Sequence, residues 1–238
     1  SKNNSRIKGA KMKLGYNELR NKIAGCWQGK NAGGALGAPL ECKRGLFDVG
    51  WYLQKDINHN PPPNDDLDLQ IAWLGAVEEY GSSVTSSVLA DYWLTYITPN
   101  WSEYGIAKSN LRRGIAPPLS GRIGNYFKDS CGCFIRSEIW ACLAPGLPEI
   151  ATKYAYLDGS VDHADEGVYG ELFFAAVEAS AFIETDTDKL IDIGLSYIPE
   201  GCAVAKAVNL VRTAYKKGLS WQDTRKLLFK EVPGAFSA

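Results

Sequence analysis

Histidine is almost missing from this chain: two occur in 238 residues, with one methionine. Six cysteines, Cys26, Cys42, Cys131, Cys133, Cys142 and Cys202, are scattered, and no pair has Cys-x-x-Cys spacing. The usual Cys/His zinc frameworks are therefore excluded. No uncharged apolar run of about 18 residues is present, so nothing reads as a membrane-spanning helix. The N-terminal "SKNNSRIKGAKMK" is basic but has no apolar h-region, so no signal peptide is read there. Neither charge sign dominates. With 26 Lys/Arg against 27 Asp/Glu the net charge is −1, which gives no bulk signal for nucleic acid or a membrane surface. Scattered thiols fit a reducing, cytoplasmic setting, although a processed exported chain would read the same way.

Strand signals are as scarce. No sustained alternation occurs, and no Asn-Gly or Asp-Gly turn joins two alternating runs. Helical spacing takes their place. Leu19, Ile23, Cys26 and Trp27 predict a helix over 17–32. Leu67, Ile71, Leu74 and Val77 predict one over 67–80 with that face inward. Further helices are expected over 84–97, 131–143, 165–183, 188–197, 202–217 and 220–231, with another beginning at Pro148, whose missing N–H costs nothing in a first turn. Thr185, Asp186, Ser220 and Ser82 or Ser83 are the expected caps. The fold class is all-α. The longest irregular stretches, 42–64 and 98–125, are rich in Gly, Pro and Asn, and such loops in a compact domain often carry function.

"PPPNDDLDLQIAWL" (61–74) is the chemically loaded stretch. Acids at a helix start complement its partial positive charge, and one cap accounts for Asn64 or Asp65. A cap does not account for Asp65, Asp66 and Asp68 crowding together. A hard cation between carboxylates would, and Mg²⁺ takes one or two carboxylates plus waters. Pro61 to Pro63 would stiffen the approach. Upstream, "GCWQGKNAGGALGAPLE" (25–41) is a small-residue helix that lets a backbone or ligand come close. It ends on Glu41, a candidate base or water-positioning group if it faces the same space.

These stretches resemble the ADP-ribosylglycohydrolase superfamily. The resemblance rests on Gly-Lys-x-Ala-Gly-x-Ala-Leu-Gly-Ala-Pro-Leu-Glu followed by Asn-Asp-Asp before a helix. "GIAPPLSGRIGNYF" (114–127), "CGCFIRSEIWACLAPG" (131–146) and "LIDIGLSYIP" (190–199) follow in the family's order. It is closer to a divergent bacterial, carbohydrate-associated branch than to the enzymes acting on protein-linked ADP-ribose. It implies a tail over 1–15 and an all-helical domain over 16–238.

The resemblance also implies a cleft holding Mg²⁺, with Mn²⁺ as an alternative. Asn64, Asp65 and Asp66 stand at the family's Thr-Asp-Asp metal segment, and Glu41 at the acid that positions water. Asp65 and Glu41 are thus the catalytic candidates. Gly132 to Arg136 match a loop that receives a diphosphate, with Arg136 as its clamp, although an ion pair is the equal alternative for that arginine. His163 matches a histidine near substrate, and Asn125 and Asp129 are weaker substrate contacts. Gly34 departs from the pattern, since Asp often stands there. The family's late Asp-x-Asp-Thr has no match, because "IETDTDKL" reads as a cap, so a C-terminal remainder of the same protein is expected. Trp93, Tyr96, Trp101 and Tyr104 are read as core, and Cys131 and Cys133 as structural. The implied activity is Mg²⁺-dependent cleavage of an N- or O-glycosidic bond in ADP-ribose or a related ribosyl or glycosyl conjugate, free or protein-linked. The alternative is a non-catalytic sugar- or nucleotide-binding module. Self-association is a further expectation.

Overall fold

The computed structural model describes residues 14–51 and 64–232, and every regular element among them is helical. Most of the expected tail and Pro61 to Pro63 lie outside the described residues. Helix α1 (Tyr16–Gly37) runs through the whole small-residue stretch, and a 3₁₀ turn at Ala38–Leu40 delivers Glu41. Then come α2 (Asp65–Tyr80), α3 (Ser86–Thr95), α4 (Ser102–Arg112), the one-turn α5 (Leu119–Arg122) and α6 (Glu138–Leu143). The order finishes with α7 (Pro148–Asp162), α8 (Glu166–Ser180), α9 (Thr187–Ser196), α10 (Ala203–Lys216) and α11 (Trp221–Glu231). No described helix is long and apolar enough to cross a membrane.

Helices α7 and α8 form the centre. α7 packs on α3, α4, α5 and α6, and α8 packs on α6, α9 and α10. The larger core joins Trp73, Leu89, Trp93, Trp140, Ala155 and Ala179, and a smaller one joins Phe173, Ile198, Cys202 and Ala205.

The structure corrects several expectations. The inward face of α2 is Leu69, Gln70, Trp73 and Ala76, whereas Ile71 is 65% exposed and Leu74 42% exposed. Apolar spacing passed over Gln70, which is buried because its amide bonds the Glu138 carboxylate (2.9 Å), the Asp66 carbonyl (2.7 Å) and the Ile139 N–H (2.9 Å). The stretch 98–125 is not irregular: it contains α4, whose buried Glu103, Lys108 and Asn110 hide its stripe. The single helix expected over 131–143 is a 3₁₀ turn, Phe134–Arg136, followed by α6. Thr85, not Ser82 or Ser83, caps α3, and Asp186 rather than Thr185 caps α9, while Ser220 caps α11 as expected.

A buried ion cluster ties the central elements together. Arg136 has no exposed surface. Its Nε and Nη2 reach Asp158 Oδ1 at 3.0 and 2.9 Å, and Nη2 reaches Asp162 Oδ1 at 2.7 Å. Its Nη1 donates to the Gly132 carbonyl. The guanidinium also lies 5.3 Å from the Trp93 ring centre and 5.9 Å from that of Trp73, within cation–π range. Trp140 Nε1 donates to the second Asp158 oxygen at 2.9 Å. Burial opposes the Arg136 charge, but Asp158 and Asp162 outweigh it and raise its pKa well above the ordinary value.

One guanidinium cannot balance three acids. Glu171 is the third, and burial with the nearby Asp158 charge pushes its carboxyl well above the usual range. Burial thus favours its neutral form, and both its oxygens are buried.

Two outcomes follow. Arg136→Ala leaves buried aspartates uncompensated and lowers unfolding free energy by about 3–5 kcal/mol, measured by urea denaturation. Glu171→Gln keeps a neutral side chain at every pH. The raised Glu171 pKa stabilises the fold fully below the unfolded value of about 4.3, and that contribution fades as pH rises. The melting temperature of Glu171→Gln relative to wild type thus increases from pH 5 to pH 8, whereas a constant difference would show that Glu171 titrates normally.

Candidate functional site

The N-terminus of α2 opens onto a cavity of about 680 Å³. Glu41, from the turn after α1, shares its lining with Asp65 and Asp68 of α2. The rest is largely apolar: Ile71 from α2, Tyr92 and Tyr96 from the end of α3, Ile97 and Pro99 from the following loop, and Trp101 and Tyr104 at the start of α4. The two acids picked as catalytic, Glu41 and Asp65, are thus brought to one space.

Asn64 caps α2, its Oδ1 accepting the Asp66 N–H at 3.0 Å. Its amide nitrogen fills the space beside Gly34: a Cβ on Gly34 would stand 2.4 Å from Asn64 Nδ2. Glycine at residue 34 thus makes room for the Asn64 amide. Asp65 Oδ2 accepts from the Tyr104 hydroxyl at 3.1 Å. Burial raises the Asp66 carboxyl above its ordinary value; Lys30 opposes this, and Asp65, Glu138 and Glu41 add to it. Lys30 itself bridges Glu138 at 2.9 Å and the Ile135 carbonyl.

The remaining expected residues stand behind the cavity rather than in its lining. Arg136 is a correction. Its donors are committed to Asp158, Asp162 and the Gly132 carbonyl, so no face is left for a diphosphate, and the ion-pair alternative holds, with these aspartates as partners. Gly132 lies against Glu103, His163 and Tyr104, where a Cβ would come within 2.2 Å of the Glu103 carboxylate. Its lack of a side chain serves that contact. His163 is 1% exposed. Its Nε2 lies 3.1 Å from Ser130 Oγ and 3.7 Å from Glu103, and its Nδ1 is 3.0 Å from Asp162 Oδ1 but off the hydrogen-bond direction. Asn125 donates to the carbonyls of Gly121 and Asp162 at 2.9 and 2.8 Å and is buried. Asp129 pairs with Lys128 and accepts the first N–H of α8.

Tyr104 connects these layers. Buried at 3% exposure, it reaches Asp65 and lies 3.4 Å from the Gly132 carbonyl. Burial raises its phenol well above the ordinary value, with Arg136 opposing and Asp65 adding, so it remains a donor to Asp65. Tyr104 is core, as expected, and so is Trp93. Tyr96 and Trp101, also read as core, are 60% and 58% exposed and line the cavity.

A family model described as ADP-ribosylglycohydrolase matches residues 16–236. The chain belongs to the ADP-ribosylglycohydrolase family. Comparison with curated proteins and with solved structures gave no match. Membership makes this a glycohydrolase of the ADP-ribosylglycohydrolase type, and the all-helical architecture agrees with it. Among the described residues no three His, Cys, Asp or Glu side chains converge as a metal cage.

The Gly34–Asn64 coupling is measurable. In wild type, Gly34→Ala gains about 0.5–1 kcal/mol of helix propensity but displaces the cap, worth about 1 kcal/mol, so its net effect is near zero. In an Asn64→Ala background the same change stabilises by about 0.5–1 kcal/mol. A double-mutant cycle read by chemical denaturation gives the coupling, and simple additivity would contradict the contact.

Proposed function

We propose that this ADP-ribosylglycohydrolase family member hydrolyses an N- or O-glycosidic bond of a ribosyl or related glycosyl conjugate in the cavity beside Asp65, with Mg²⁺ as cofactor. The observation that carries the reading is the convergence of Glu41 and Asp65, from two separate segments, on one cavity of about 680 Å³. Glycoside cleavage passes through an oxocarbenium-like state, which nearby carboxylates stabilise. Glu41 is exposed and unencumbered, so it orients the attacking water and accepts its proton. Asp65 is held in one orientation by Tyr104, facing the sugar.

Mg²⁺ fits the donor set. Asp66 is raised by burial and by acids around it, which Lys30 offsets only in part, and a hard cation needs no more than one or two carboxylates. Asp65 and Asp66, with the Asn64 oxygen, would hold it. When bound, it supplies a fixed positive charge that orders the sugar hydroxyls.

The test is release of the aglycone from ribosyl and glycosyl substrates with Mg²⁺ or EDTA. Glu41→Gln lowers kcat by about 100-fold or more, the usual range for losing a general base. Asp65→Asn combined with Asp66→Asn abolishes both turnover and the heat of Mg²⁺ binding. Ligand binding without turnover under every metal condition would instead support the binding-module alternative.

A further inference from the structure

The half-buried face of α1 carries a thiol that glycoside hydrolysis does not use. Ile23, Cys26, Trp27 and Lys30 lie on that face, at the three- and four-residue spacings that put side chains on one side of a helix. Trp27 packs against the larger core. Lys30 Nζ reaches Glu138 Oε1 of α6 at 2.9 Å. One turn back along α1 stands Cys26, and one turn on along α6 stands Cys142. The contacts run in opposite senses along the two helices, so the thiols meet at the rung beside the ion pair. The two side chains are hydrogen-bonded to each other, and both cysteines are free. Each keeps part of its surface exposed.

The pair is chemically uneven. The hydrogen bond from Cys142 holds the Cys26 thiol below its ordinary value, and Lys30 adds to this against burial and Glu138. The same bond, reinforced by burial, raises Cys142. The thiolate is the nucleophile in disulfide exchange, so Cys26 attacks first. Cys133 and Cys202 are buried, which shields them from a reagent, whereas Cys42 and Cys131 are exposed and serve as internal controls.

We propose that Cys26 and Cys142 form an oxidation-dependent disulfide that tethers α1 to α6. The oxidant is a low-molecular-weight disulfide of the glutathione class. The Cys26 thiolate attacks one sulfur of that disulfide, breaking its S–S bond, releasing one thiolate and leaving a mixed disulfide. Cys142 then attacks the Cys26 sulfur, forming the protein S–S bond and releasing the second thiolate. The protein thiols lose two electrons, the small disulfide gains them, and the two thiol protons pass to the released thiolates. The tether matters because of where it lies. Among the described residues none of α1 is buried, and the turn that follows it delivers Glu41 to the cavity. On the other side α6 packs against α7 and α8, the centre of the fold. The bond thus fastens the segment carrying Glu41 to the most rigid part of the molecule.

The experiment equilibrates the full chain with glutathione buffers of increasing oxidised fraction, blocks free thiols with iodoacetamide and maps the peptides by mass spectrometry. The expected product is a linked Cys26–Cys142 peptide, formed in the native protein and lost with dithiothreitol. The oxidised chain melts about 5–15 °C above the reduced one, the range for a disulfide of ordinary worth in a domain of this size. Amide exchange across 16–37 slows by about tenfold or more. In Cys142→Ser the reaction halts at its first step, so Cys26 accumulates a glutathione adduct, whereas Cys26→Ser leaves Cys142 largely unmodified. Either variant abolishes the melting shift, and Cys42→Ser retains it. If a variant fails to fold, the comparison of reduced with oxidised wild type carries the test by itself. Linkage between other cysteines, a Cys26–Cys142 link that appears only in urea, or a link that changes neither melting nor exchange would each overturn the proposal. None of these readouts needs turnover, so the outcome is independent of the hydrolytic reading.

Discussion

The rest of the fold is arranged around a buried cation, the Arg136 guanidinium. Removing such a group from water is costly unless every donor is met and opposite charge is adjacent. Here the need is met from several elements at once. Asp158 and Asp162 come from α7, the Gly132 carbonyl from the preceding loop, and the rings of Trp73 and Trp93 from α2 and α3. An element that shifts would leave an unpaired charge in the core. The cluster therefore fixes where α2 and α3 stand relative to α7, and these helices carry most of the cavity.

That constraint reaches the candidate site through Tyr104. Its ring packs on Trp93, 4.8 Å between centres, and its hydroxyl meets Asp65. A core contact thus sets the orientation of a cleft carboxylate. The second acid is treated differently. Asp66 lies among Asp65, Glu138 and Glu41, with Lys30 as its counter-charge, and Lys30 is already shared with Glu138. That crowding sets the α2 N-terminus apart from the simple caps at Thr85, Asp186 and Ser220, where a single side chain meets the helix start.

The sequence was most legible where spacing and chemistry agree. Long helices from α7 onward and the caps Asp186 and Ser220 follow from periodicity and short polar side chains. The pairing of Glu41 with Asp65 was readable as two acids ending or starting helices beside a small-residue stretch. Misreadings share one cause, buried polar groups. Gln70 turned α2 by hiding its inward face, and Glu103, Lys108 and Asn110 concealed α4. A signal for the Arg136 cluster did exist: Asp158 and Asp162 stand four apart on a helix whose other inward residues include Ala151 and Ala155. Two acids on a buried stripe demand a cation. The aromatic wall had no comparable signal, because Tyr96 and Trp101 are separated by a helix end and a loop whose path no local pattern dictates.

Arg136 decides between the two readings of its loop, diphosphate clamp or ion pair, in favour of the second. A loop of glycines with an arginine resembles an anion site only if the guanidinium faces solvent. In this chain two aspartates on α7 turn it inward, and the guanidinium charge holds α2, α3 and α7 together. The cleft in front keeps its carboxylates, Glu41, Asp65 and Asp68. One wall of that cleft is built by a buried lysine: Lys108 grips the carbonyls of Ile97, Thr98 and Pro99, so a core charge fixes the backbone of the loop just as Arg136 fixes the helices behind it.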